Sequence, residues 1–177
     1  LTAFGTGDGG AVSIEAPALE LRGQRLGIYS NGRGGGDGGP ITLRVGTLSM
    51  SGGAQISTAS TALGLGGDAG PIDIQASRSV LVSNEGGGIF DLRNLLTGDG
   101  TVDFTGIFTA SLGAGDGGPI SIRAPEITIT DGGVIGSVGF LQGSSGNVSM
   151  EGDRITIDGG AFVDASGDAN LGFAAGV

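Results

Sequence analysis

The chain has 177 residues, of which 41 are Gly, and carries a formal net charge of −10 with a sequence pI of about 4.1. That acidity argues against nucleic acid or an anionic membrane as partner, and the absence of His, Cys and Lys limits acid-base and nucleophilic chemistry to carboxylates, Ser and Tyr29. Helix-forming runs of Ala, Leu, Glu and Lys are missing, whereas a hydrophobic fraction of 38% arrives in alternating runs of strand length, so a folded, strand-rich chain is expected.

Taken in order, the chain repeats one unit. Copies begin at Gly7-Asp8-Gly9-Gly10, Gly36-Asp37-Gly38-Gly39-Pro40, Gly67-Asp68-Ala69-Gly70-Pro71, Gly115-Asp116-Gly117-Gly118-Pro119 and, degraded, Ser145-Gly146-Asn147-Val148. Asp8 to Asp37 is 29 residues, Asp37 to Asp68 is 31, Asp68 to Asp116 is 48 and Asp116 to Asn147 is 31. A period near 30 with one long exception signals a repeat architecture. The exception reads as an insertion at residues 89–106 within the third full repeat, since removing it restores a spacing of 30.

Each unit alternates with period two, the mark of a strand with one face inside. A first strand family runs through Val12, Ile41, Ile72, Ile120 and Val148, and a second through Leu19, Leu48, Val80, Ile127 and Ile155. The third begins at Ile28, Ile56, Ile107, Ile135 and Phe162. First and second strands are offset by 7 residues except in the third copy, where the offset is 8 and a bulged corner is expected. Ala16-Pro17 and Ala124-Pro125 turn one corner; Gly52-Gly53, Gly132-Gly133 and Gly159-Gly160 turn another. Strands this short bury an apolar face only by stacking on their equivalents. The fold expected is all-β: a right-handed, three-sided parallel β-helix of five to six coils, filling residues 1–177 as a single solenoid segment.

The ends fit a segment. Leu1–Gly7 matches Phe108–Gly113 well enough to be the third strand of an earlier unit, and Asn170–Val177 is apolar without a polar cap. A piece of a longer solenoid, or a unit that associates end to end or side by side, is expected. No signal peptide or membrane-spanning stretch is visible.

The grammar of residues 115–135, Gly-Asp-Gly-Gly-Pro-Ile-x-Ile-x-Ala-Pro-x-Ile-x-Ile-x-Asp-Gly-Gly-x-Ile, resembles the repeat region of filamentous-haemagglutinin-like exoproteins of the two-partner secretion type. The likeness covers nearly the whole chain apart from the insertion. It implies an extracellular or cell-surface adhesin built as a β-helical fibre, outer-membrane associated or secreted, meeting a glycan or another cell-surface partner. It implies no enzyme and no cofactor. A Cys-free chain suits such export, since no disulfide must form or open.

Candidate sites are few. Asp8, Asp37, Asp68 and Asp116 stack into a column whose like charges require hydrogen bonds or a cation, which raises Ca2+. Calcium-binding nonapeptide repeats are denser in Asp than one per coil, so turn capping by the carboxylates is the favoured reading. Asp73, flanked by Thr42 and Ser121, with Arg44 and Arg123 nearby, is the sole cluster reminiscent of a carbohydrate-active β-helix; surface charges pairing along a sheet, as Glu15 with Arg44, are the favoured reading. A carbohydrate-binding or carbohydrate-active helix with its active residues outside this segment is the alternative function.

Gly34–Gly39 fits G-x-G-x-x-G but leads into a strand rather than a helix, so phosphate binding is discarded. The sequon Asn147-Val148-Ser149 falls on the first strand family and is read as structural. A Thr ladder of the ice-binding kind is absent from the mixed row Glu20, Ser49, Leu81, Thr128 and Thr156. The insertion is apolar for a loop, through Phe90, Leu92, Leu95, Leu96 and Phe104. A flap over the neighbouring sheet or an extra half-coil is the favoured reading, with binding or lateral fibre contact as the rival.

Overall fold

The structure, a computed structural model, describes residues 2–3, 7–24, 26–61, 66–88, 104–140 and 142–166. Among them there is no helix. Strand β1 (Thr2–Ala3) belongs to a turn that precedes the first coil. The first coil contributes β2 (Val12–Arg22) and β3 (Gly27–Gly32), the second β4 (Ile41–Ser51) and β5 (Gln55–Ser60), and the third β6 (Ile72–Ser83) and β7 (Gly106–Ser111). The fourth holds β8 (Ile120–Arg123), β9 (Glu126–Thr130) and β10 (Val134–Gly139); the fifth holds β11 (Val148–Glu151), β12 (Arg154–Ile157) and β13 (Phe162–Asp164).

Every pairing is parallel and joins successive coils, which makes the chain a β-solenoid of about five turns. One sheet has the order β1-β3-β5-β7-β10-β13; the other runs β11-β8-β6-β4-β2, with β9 bridging β6 and β12. The first and second strand families share this second sheet. In the first three coils they are one long strand bent at the corner, and in the last two a break separates them.

The bend is written in the burial pattern. Ile41, Leu43 and Val45 point inward, then the alternation slips by one at Gly46 so that Leu48 and Met50 point inward again. A Cβ on Gly46 would collide with the Pro17 carbonyl of the coil beside it, so the corner needs glycine there. The extra residue of the third copy is a register shift between Val45 and Thr47 against β6, a bulge at that same corner.

Ladders of equivalent residues fill the interior. Val12, Ile41, Ile72, Ile120 and Val148 are register partners, and the central three are at most 1% exposed. Burying one such side chain contributes roughly 1.5–3 kcal/mol. In the other sheet Ile28, Ile56, Ile107, Ile135 and Val163 form the matching row. Val163, and not Phe162, continues that row, because the fifth coil enters β13 one residue earlier than the Ile pattern suggests. Thr2 pairs with Asn31, which makes β1 the third strand of an earlier coil, one residue out of the alignment with Thr109 expected from sequence.

The degraded fifth repeat is likewise placed differently. Val148 pairs with Ile120, which puts Ser144 where the earlier coils have Asp and makes this spacing 28 residues, from Asp116 to Ser144. Asn147 therefore stands where Pro119 stands, exposed and just ahead of β11, rather than on a core strand.

Gly106 opens β7 in register with Gln55, so it belongs to the ladder, although the repeat arithmetic placed it at the end of the insertion. Phe104 is buried to 1% exposure and its ring lies 5.5 Å from that of Phe108. Of the insertion's five apolar candidates, Phe90, Leu92, Leu95 and Leu96 lie outside the described residues, while Phe104 is part of the packed body.

Candidate functional site

The Gly-Asp corners form the most regular polar feature. Asp8 Oδ1 accepts the Asp37 amide at 3.0 Å, Asp37 Oδ1 the Asp68 amide at 2.9 Å, Asp68 Oδ1 the Asp116 amide at 2.8 Å and Asp116 Oδ1 the Ser144 amide at 2.7 Å. The column is exposed, and it stitches each coil to the next through a charged acceptor on a backbone donor, a strong class of hydrogen bond. The capping expected within a turn is thus made between coils. Among the described residues no three carboxylates converge in a geometry that holds a metal ion.

Behind this column the glycine corners press backbone against backbone. A Cβ on Gly39 would meet the Gly9 carbonyl, one on Gly70 the Gly39 carbonyl and one on Gly118 the Gly70 carbonyl. Their inward carbonyls take protons from a row of hydroxyls that sequence reasoning missed. Ser30 donates to Gly10 O at 2.5 Å, Thr58 to Gly70 O at 2.5 Å, Thr109 to Gly118 O at 2.6 Å and Ser137 to Gly118 O at 3.0 Å. These four are register partners and are all 0% exposed. The signal was available: each stands two residues after the Ile that starts a third-family strand.

The bent corner of the second sheet is a groove of about 1030 Å3 along the solenoid axis. Its floor is Ala16, Val45, Ala76, Ala124 and Gly152, one small residue or Val per coil. On one wall Glu15, Arg44, Gln75, Arg123 and Glu151 occupy the same register position in successive coils. Arg78 stands on the other, with its Nη2 donating to Pro17 O at 3.0 Å.

The structure brings Asp73 and Arg123 together: Arg123 Nη1 is 3.9 Å from Asp73 Oδ1, and its Nε is 3.1 Å from Glu151 Oε2. Gln75 Nε2 donates to Asp73 Oδ2 at 3.0 Å. Both ion pairs are substantially exposed, so each is worth roughly 0–1 kcal/mol. Glu15 and Arg44 sit side by side in register but make no ion pair, which corrects the pairing expected for them. Arg44 meets no carboxylate within 4.0 Å among the described residues.

The insertion leaves and rejoins the body at one point. Asn84 donates through Nδ2 to Gly88 O at 2.8 Å and accepts the Thr105 amide on Oδ1 at 2.7 Å. Thr105 Oγ1 accepts the Gly53 amide at 2.9 Å and the Gln55 side chain donates to Phe104 O at 3.2 Å, so the neck is tied to the second coil as well. This is why a 48-residue repeat resumes in register.

Tyr29, in the outward row of the first sheet, donates to Gln55 Oε1 at 3.4 Å, and burial pushes its phenol above the ordinary value. Among the described residues no helix is long and apolar enough to cross a membrane. Compared with known proteins, the chain matches no family model, no curated protein and no solved structure.

Proposed function

We propose that this chain is a structural and adhesive segment of an extracellular or cell-surface β-helical fibre, of the kind represented by filamentous-haemagglutinin-like exoproteins. The observation that carries the reading is the unbroken axial repetition. The core ladder recurs in all five coils and the hydroxyl row and Asp column in the first four, and none of them loses register across the 48-residue repeat. A chain under pressure to build one localised active site has no need for such translation; a spacer that carries surfaces along an axis does.

Like charges along the Asp column are held by backbone amides, which supports a fibre that needs no calcium. Self-association end to end or side by side is part of the proposal, as is the absence of catalysis. The test is electron microscopy of purified native material with and without a chelator. Filaments with an axial repeat of about 4.8 Å that survive chelation are expected. Isolated particles would count against the fibre, and filaments that dissolve on chelation would transfer the Asp column to metal binding.

A second reading, a carbohydrate-binding helix, is favoured by the groove at the bent corner, because it runs along the axis and is open over every coil.

A further inference from the structure

The groove has a charge distribution unlike the rest of the molecule. Against a net charge of −10, three arginines line it among the described residues: Arg44, Arg78 and Arg123. They occupy the three central coils, while the lining carboxylates Glu15, Glu151 and Asp153 stand on the first and fifth. The lining thus has a cationic middle section with acidic ends, and the carboxylate beside that middle section, Asp73, stands behind Arg123 and Gln75 and outside the lining.

We propose that this section binds a linear glycan bearing carboxylates, a polyuronate chain lying parallel to the solenoid axis. The proposal rests on the adhesive reading and supplies its ligand class. Three observations converge on it. The groove repeats its floor once per coil, about every 4.8 Å, so its natural occupant is itself a linear repeat. Arg44 and Arg123 share one register position two coils apart, about 9.6 Å. A chain of 1,4-linked pyranoses advances by close to one coil per sugar, which sets the carboxylates of alternate sugars opposite these two guanidinium groups.

An extended peptide fits less well, because its same-side chains recur about every 6.8 Å, twice the rise of a strand residue. The backbone of the floor is also already spent in ladder hydrogen bonds, leaving a peptide main chain little to pair with. The arginines are ready to engage. Arg44 has no ion-pair partner among the described residues, and the pairs of Arg123 with Glu151 and with Asp73 are exposed and cheaply exchanged for a ligand carboxylate that offers the same fork geometry. Among the described residues no aromatic ring lines the groove, so affinity is to come from charge and hydrogen bonds and to fall with salt.

The test is calorimetric titration of the purified chain with polygalacturonate oligomers, their fully methyl-esterified counterparts, polyglutamate and dextran sulfate. Binding of the free acid is expected, weakening as salt rises, with little binding of the ester. Arg44→Ala and Arg123→Ala are each expected to weaken it about tenfold, while Arg22→Ala, outside the groove and beside Glu20, leaves it unchanged. Arg44 is exposed and meets no carboxylate among the described residues, so its variant keeps the fold, checked by an unchanged melting temperature. Binding of the ester equal to that of the acid, equal losses from Arg22→Ala and Arg44→Ala, equal binding of polyglutamate or of dextran sulfate, or no binding at all would each overturn the proposal. Filaments without glycan binding would remove the groove ligand and leave the fibre standing; glycan binding by isolated particles would do the reverse.

Discussion

The two sheets line the same interior with different chemistry. Along the bent sheet the inward rows are aliphatic throughout, as in Ile41, Leu43, Leu48 and Met50 of β4. Along the other sheet β3, β5, β7 and β10 each follow an inward Ile, two residues on, with an inward hydroxyl, as in Ile56 and Thr58 of β5. The difference follows from what each faces. Aliphatic rows meet side chains, whereas the hydroxyl row meets the bare main chain of the glycine corners, whose buried carbonyls require donors. Glycine lets the corner close tightly and leaves its carbonyls uncovered, and Ser or Thr from the facing strand covers them.

The largest blow to this division of labour is a cavity on the aliphatic side. Ile122→Ala, at a position fully buried in the middle of the stack, is expected to lower unfolding free energy by about 2–5 kcal/mol in chemical denaturation. A comparable effect, about 3 kcal/mol, is expected from Gly118→Ala, whose methyl has nowhere to go against the Gly70 carbonyl. The hydroxyl side is probed by Thr58→Val, which keeps shape and removes only the donor to Gly70 O; a loss of about 1–3 kcal/mol is expected, and none at all would mean the hydroxyl row is idle.

The smallest effect belongs to Tyr29. Its phenol is raised in the folded state, so the stability it contributes is present below the ordinary tyrosine value near 10 and is lost as pH rises through the folded value. Since the chain has one Tyr and no Lys or Cys, spectrophotometric titration reads this group alone, and Tyr29→Phe is expected to flatten the melting temperature above about pH 10.

Much of the fold is legible from sequence because its causes are local and repeated. Alternating Ile-x-Ile and Gly-Asp-Gly-Gly recur in several copies, so the ladder of Val12, Ile41, Ile72, Ile120 and Val148 follows from spacing alone. Spacing misleads where a repeat is degraded. At Ser145-Gly146-Asn147 the missing Asp hid that Ser144 takes its place, and in β13 a neighbouring Phe162 looked more core-like than Val163.

The polar partners were less visible, because they depend on contacts between coils. Nothing in Asn84 announces that it ties Gly88 to Thr105, and nothing in Arg78 announces that it crosses a groove to the Pro17 carbonyl. The groove itself appears only when an alternation slip at Gly46 is placed beside its equivalents in space.

The measurement that tests the account most directly is a distance along the axis across the insertion. Glu20, Ser49, Leu81, Thr128 and Thr156 share one outward register position in five successive coils. With no native Cys to remove, spin labels at Glu20→Cys and Thr156→Cys report their separation by pulsed electron-electron resonance. Four coils of about 4.8 Å place the two backbones about 19 Å apart. A narrow distribution centred there, after allowance for the label arms, is the expected result. A separation one coil longer would mean that the insertion takes a turn of its own, and a broad distribution would contradict the stacked solenoid altogether.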